Sequence, residues 1–162
     1  MVSGWKNLKG SDCDMRFFEE VKHKKYESET VLPKRSDNGS AGYDFRIKED
    51  VTLEPGESKL CFTDVKAFFP ENEVLLIYIR SSLGVKWGIN LKNGTGVIDS
   101  SYYNNPDNEG NIGLPLVNMS KKKVVINAGE RCAQGIFMPY LLTNDDEVVN
   151  ESRNGGFGSS GR

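Results

Sequence analysis

The sequence predicts an all-β domain, a sandwich, jelly roll or closed barrel, with an arm at its C-terminal end. Two observations carry this: the apolar runs are short and rich in β-branched and aromatic residues, and turn chemistry punctuates them at regular intervals. Helical periodicity is hard to find. Within Val51–Leu60, the segment Glu54-Pro55-Gly56-Glu57 has Pro at the second turn position and Gly at the third, which suits a type II turn between strands. Val74–Ile79 is a nearly continuous apolar run, read as a strand buried on both sides, which places Arg80 at a strand end. Lys123–Ile126 leads into a turn at Asn127-Ala128-Gly129-Glu130. Gly135–Leu142 reads as a further strand, with Pro139 at an edge or bulge. From Thr143 the chain turns polar and acidic before a glycine-rich end, so the expected division is a tail over 1–14, a β domain over 15–142 and an arm over 143–162.

Size and charge narrow the function classes. A chain of 162 residues suits one domain around a single core. A formal charge of −2 leaves no broad basic face to hold polyanionic nucleic acid, so an anionic ligand would need a local cluster of cations. Cys13, Cys61 and Cys132 are an odd, widely spaced set, which argues against a disulfide framework and a zinc site and for reduced thiols. His23 is the single histidine and reads as a surface or strand residue. With no long apolar run and no secretory leader in Met1–Gly10, the expected setting is cytoplasmic or otherwise intracellular, away from membranes.

Several short segments carry chemistry. Arg80-Ser81-Ser82-Leu83-Gly84 sets a guanidinium, two hydroxyls and a small-residue turn at the end of a strand, a combination that grips phosphate oxygens. The last ten residues, Arg153 to Arg162, place four glycines, two serines and two arginines around Phe157. That composition suits either a plain linker or an anion clamp with one stacking face. Ala41-Gly42-Tyr43-Asp44-Phe45, Gly96-Val97-Ile98-Asp99-Ser100-Ser101-Tyr102 and Gly129-Glu130-Arg131-Cys132-Ala133-Gln134 complete the set.

In order and spacing these five segments resemble the five motifs of the trimeric dUTPases, from about Leu32 to Gly161. The resemblance implies a distorted jelly-roll or β-barrel subunit with an extended C-terminal arm. It also implies Mg²⁺-dependent hydrolysis of dUTP to dUMP and pyrophosphate by in-line attack of water on the α-phosphorus. By resemblance Arg80, Ser81, Ser82, the backbone of Gly84 and the amide of Gln134 hold the phosphates. Asn93, Gly96, Val97 and Ile98 form the uracil hairpin, Gly96 allowing close approach to the base. Tyr102 lies against the deoxyribose and leaves no room for a 2′-hydroxyl, although the residue alone also reads as a half-buried strand tyrosine. Asp99 is the implied base, since a carboxylate serves when it hydrogen-bonds a water in line with the phosphorus. Asp44 supports the site, and Arg131 takes a structural place. Cys132 is expected to be a buried, inert thiol. Mg²⁺ is held mainly by the triphosphate and water, with no direct protein ligand implied. The family is a homotrimer whose sites draw on two subunits, while a third contributes the tail. Phe157 and Gly158 would then cover the base, and Arg153, Ser159 and Ser160 would hold the γ-phosphate.

The sequence departs from the family where the hairpin usually continues Asp-Tyr-Arg-Gly. Here it runs Ser101-Tyr102-Tyr103-Asn104-Asn105-Pro106-Asp107-Asn108-Glu109-Gly110, with an inserted polar loop. The tail departs too: Phe157 follows Arg153 by one residue fewer than is common, which leaves Arg153 or another cation as the γ-phosphate ligand. Two other functions fit the same segments less fully. One is a dCTP deaminase of the same fold. The other is a nucleotide-switched regulatory module that presents loop 104–109 to a protein partner.

Overall fold

A computed structural model describes residues 14–148. These form twelve short strands and little else: β1 (Phe17–Glu20), β2 (Lys34–Arg35), β3 (Tyr43–Arg46), β4 (Val51–Leu53), β5 (Ser58–Phe62), β6 (Val65–Phe68), β7 (Glu73–Ile79), β8 (Ile89–Leu91), β9 (Gly96–Asp99), β10 (Gly113–Asn118), β11 (Val124–Ile126) and β12 (Arg131–Pro139). All described pairings are antiparallel. The largest sheet runs β2-β3-β12-β7-β9, and a second runs β5-β10-β8. Pairs β1-β6 and β4-β11 close the ends, giving the jelly-roll-like all-β body the sequence predicts. Phe45, Val51, Leu53, Leu75, Ile77, Ile89, Leu116 and Ile126 are among the fully buried side chains of one continuous core.

Local turn chemistry behaves as the residues dictate. Gly56 has φ +79° and Glu57 N donates to Glu54 O at 2.9 Å. Gly129 has φ +86°, with Glu130 N donating to Asn127 O at 3.1 Å. Both turns thus place glycine where an L side chain would be strained.

Three strand expectations need correction. In β7 only Leu75 and Ile77 are fully buried, while Val74, Leu76 and Tyr78 are half-buried, because no layer of the described residues covers the outer face. The C-terminal strand starts at Arg131 and stops at Pro139, earlier at both ends than the apolar run suggests. Its irregularity lies between Arg131 and Ala133 rather than at Pro139. Pro139 sits at the last position, opposite Glu73 and beyond the last β3 partner, so its missing N–H costs no ladder bond to that strand. Tyr102 stands in a 3₁₀ turn (Ser100–Tyr102), not in a strand.

Beyond β12, Tyr140 N donates to Asn72 O, and residues 141–148 are all exposed. No described helix is long and apolar enough to cross a membrane. Cys61 and Cys132 are both free and buried. Burial pushes the Cys61 thiol up to about 11 and the Cys132 thiol up to about 12, so neither forms thiolate near neutrality. In native protein at mildly alkaline pH, mass spectrometry after treatment with a thiol reagent is expected to find both unmodified. Labelling of either before denaturant is added would contradict this packing.

Candidate active site

The predicted residues gather in two places, one on each side of β7. On the first side, β9 pairs with β7 in the register Val74↔Asp99, Leu75↔Ile98, Leu76↔Val97 and Ile77↔Gly96. A Cβ on Gly96 would lie 2.9 Å from Ile77 Cβ. The glycine is therefore required by strand packing, a reason the sequence reading did not supply. The segment expected to form a hairpin does not pair with itself, since β8 joins β10 and β9 joins β7 in separate sheets; between β9 and β10 opens a cleft of about 200 Å³. Of the residues singled out in the sequence, Asn93, Gly96, Val97, Ile98, Asp99 and Tyr102 line it. Its remaining wall comes from Ile77, Leu91, Gly113, Leu114 and Pro115, which the sequence reading missed. Gly113-Leu114-Pro115 carries no local signal of ligand contact and joins the cleft only through the pairing of β10 with β5 and β8.

Asn93 sits in the β8–β9 turn, where Gly94 N donates to Leu91 O at 2.9 Å and Gly94 has φ +75°. Val97 is 60% exposed, which leaves an apolar face for a flat ring. Asp99 is exposed at the cleft, so its carboxylate has access to solvent. Tyr102 is buried, with its hydroxyl donating to Asn111 O at 2.8 Å.

The second gathering surrounds the far end of β7. Arg80 N donates to Cys132 O at 2.9 Å, which fixes the guanidinium's stem at the β12 irregularity. Ser82–Trp87 then forms a π-helical turn, and Arg80 O accepts from Leu83 N and Gly84 N. Ser81 and Ser82 are exposed at its start. Arg80 and Ser82 line an open cleft of about 490 Å³ with Arg46, Trp87, Glu130 and Arg131. Arg46 and Trp87 were not anticipated.

Asp44 has a more definite place than the sequence allowed. Its Oδ1 lies 3.3 Å from Arg80 Nε, and its Oδ2 lies 3.0 Å from an Arg131 guanidinium nitrogen. Ser36 Oγ also donates to Oδ2, at 3.0 Å. One largely buried carboxylate thus orients two guanidiniums and leaves excess positive charge for an anion. Gln134 stands on β12 opposite Asp44 and Tyr78. A Cβ on Gly42 would come within 2.5 Å of Gln134 Oε1, so Gly42 makes room for that amide.

The two gatherings do not meet within one chain. Asp99 is opposite Val74, and Arg80 lies six residues further along, which at roughly 3.3 Å per residue separates them by about 20 Å. Arg153, Phe157, Gly158, Ser159 and Ser160 lie outside the described residues. Loop 104–109 is less open than its polarity suggests: Asn105 is buried and Asn108 and Glu109 are half-buried, leaving Asn104, Pro106 and Asp107 exposed.

An anion grip and an apolar slot with a carboxylate at its lip, both on a jelly-roll body, are the equipment of a nucleotide-handling enzyme. The dUTPase family model matches residues 28–161. The deoxyuridine 5'-triphosphate nucleotidohydrolase of Lactococcus lactis subsp. lactis (strain IL1403) is 50% identical over 131 residues, covering 80% of this chain and 87% of the relative. The crystal structure of dUTPase from Streptococcus mutans superposes with a TM-score of 0.71 at 45% identity, covering 78% of this chain and 98% of that one. A mutant dUTPase from phage phi11 of S. aureus, in which a structural Mg(II) ion is coordinated, gives a TM-score of 0.68 at 25% identity over 85% of this chain and 98% of that chain. The chain belongs to the dUTPase family, the dUTP diphosphatases, and its activity is hydrolysis of dUTP.

Gly96→Ala is expected to force β9 away from Ile77 and to lose roughly 1–3 kcal/mol of stability by urea titration, as overpacked sites do. A variant of unchanged midpoint would show that the seating of β9 does not depend on this contact.

Proposed function

We propose that the protein releases pyrophosphate from dUTP by attack of water on the α-phosphorus, with Asp99 as the base and no covalent intermediate. The observation that carries this reading is the placement of Asp99 at the lip of the same small cleft as Asn93, Val97 and Tyr102. A uracil seated there meets the amide of Asn93 and the backbone of Gly96, Val97 and Ile98. Fixed donors and acceptors would leave cytosine with unpaired groups, a strong basis for discrimination. The ring of Tyr102 closes the sugar end. Asp99 then hydrogen-bonds the water and takes its proton as the bond to phosphorus forms.

Arg80, Ser81, Ser82, Gly84 and Gln134 hold the phosphates, with Asp44 positioning Arg80. Because Asp99 and Arg80 are about 20 Å apart along β7, the grip that serves one Asp99 comes from a neighbouring copy. A homotrimer provides that arrangement. The exposed Leu141, Leu142 and Val148 suit an arm crossing onto another subunit, where Phe157 and Gly158 would cover the base and Arg153, Ser159 and Ser160 would reach the γ-phosphate. The proposed division keeps residues 1–14 as a tail, of which 1–13 lie outside the described residues.

The protein side of the site supplies guanidiniums, hydroxyls and the exposed carboxylates of Asp99 and Glu130, one in each cleft. That donor set fits a Mg²⁺ ion that arrives on the triphosphate and keeps its waters. When bound, the ion offsets phosphate charge and lets the Asp99 carboxylate approach. Free, buried Cys61 and Cys132 suit a reducing intracellular compartment.

Pyrophosphate release should be measured with dUTP, dCTP, dTTP and UTP as substrates. The wild type is expected to prefer dUTP, and Asp99→Asn to lower kcat by roughly 10²–10⁴-fold. Full turnover by Asp99→Asn contradicts the mechanism, and ammonia release from dCTP would indicate a deaminase instead.

A further inference from the structure

We infer that Asn108, in the inserted loop, is a positioning residue for sugar discrimination: it clamps the hydroxyl of Tyr102 and so sets the depth of the wall facing the 2′-carbon. This rests on the reading of Tyr102 as the deoxyribose wall.

The hydrogen bonds leave one assignment for the Asn108 amide. Its Oδ1 accepts from Gly110 N at 3.1 Å and from Asn105 Nδ2 at 2.8 Å. The nitrogen therefore faces the other way and donates to Tyr102 Oη at 2.7 Å. With that lone pair occupied, the hydroxyl proton goes to Asn111 O, at 2.8 Å. Each group has a complementary partner, so the tyrosine is held on one side by Asn108 of the loop that the family pattern lacks and on the other by the backbone of Asn111, just beyond it. Asn105 ties the loop back to the same residue, since its Nδ2 also donates to Tyr102 O at 2.8 Å.

The loop is itself rigidly built. Gly110 has φ +88°, and a Cβ there would lie 2.6 Å from Tyr102 O, so only glycine lets the returning chain pass so close. Glu109 accepts from the backbone of His23 at 2.8 Å and of Lys22 at 3.3 Å, which anchors the loop to the segment after β1. Lys66, nearly buried, donates to Asn104 Oδ1 at 2.6 Å. A clamp fixed at both ends transmits position to the ring, and a small displacement of a wall at a reacting centre changes rate strongly.

The test is a double-mutant cycle on the ratio of kcat/KM for dUTP to that for UTP, using the full chain. Asn108→Ala and Tyr102→Phe are each expected to lower the ratio roughly tenfold, and the double variant to be no worse than either. Asn108→Asp keeps the acceptor for Gly110 and Asn105 and offers an oxygen to the hydroxyl proton, so it should retain the ratio within about threefold. An Asn108→Ala effect undiminished in the Tyr102→Phe background would overturn the proposal, because that is the behaviour of a residue that only folds the loop. Tyr102→Phe leaves the loop residues intact, and an unchanged ratio in that variant overturns the clamp even if Asn108→Ala does not fold. Tyr102→Leu separates the two claims. An unchanged ratio there contradicts the sugar-wall reading, whereas a lowered ratio there with an unchanged one in Tyr102→Phe removes the clamp alone.

Discussion

Ile77 is the residue on which the architecture turns. It lies fully buried in the middle of β7, with a glycine on each neighbouring strand: Gly135 of β12, where a Cβ would meet Ile77 Cδ1 at 3.1 Å, and Gly96 of β9, where one would meet Ile77 Cβ at 2.9 Å. Interiors pack at crystal-like density, so a branched side chain flanked by two absent ones fixes both strands against β7. Strand β9, which bears Asp99, takes its position from one contact. The strand carrying Gln134, and through it β3 with Asp44, takes its position from the other.

The same strand keeps the site apart. Its two ends carry different chemistry, a carboxylate opposite Val74 and a guanidinium after Ile79, and its length is fixed by backbone geometry. Neither half holds all of the proposed machinery: the slot has no cation among its described lining residues, and Asp99 does not line the grip. The half-buried outer face of β7 and the exposed Met138, Leu141 and Leu142 belong to the same pattern, apolar surface that the described residues leave uncovered. An obligate assembly would complete the site and bury that surface together.

What the sequence disclosed follows from how local each feature is. The turns at Glu54–Glu57 and Asn127–Glu130 were legible because proline and glycine state their backbone preferences within four residues. The apolar run at Val74–Ile79 announced a strand, but not that its outer face would lack a cover among the described residues. The catalytic segments were legible through their resemblance to a family, whereas the contacts between them were not. Asp44 and Arg131 are 87 positions apart, and nothing local in either foretells their ion pair. Gly42 reads as a small residue in a strand until Gln134 is seen lying across it. Tyr102 is the sharpest case: alone it reads as a strand tyrosine, yet it stands in a 3₁₀ turn and its hydroxyl is bound by Asn108 of an insertion that looked like surface loop.

The central claim is that the Asp99 of one chain works with the Arg80 of another. It is tested most directly by mixing two disabled chains, Asp99→Asn and Arg80→Ala, refolded together at equal amounts. If sites form between subunits, random assembly gives about one quarter of sites with both residues intact, and dUTP hydrolysis should return to roughly that fraction of wild type. A mixture no more active than either variant alone would show that each chain carries its own complete site.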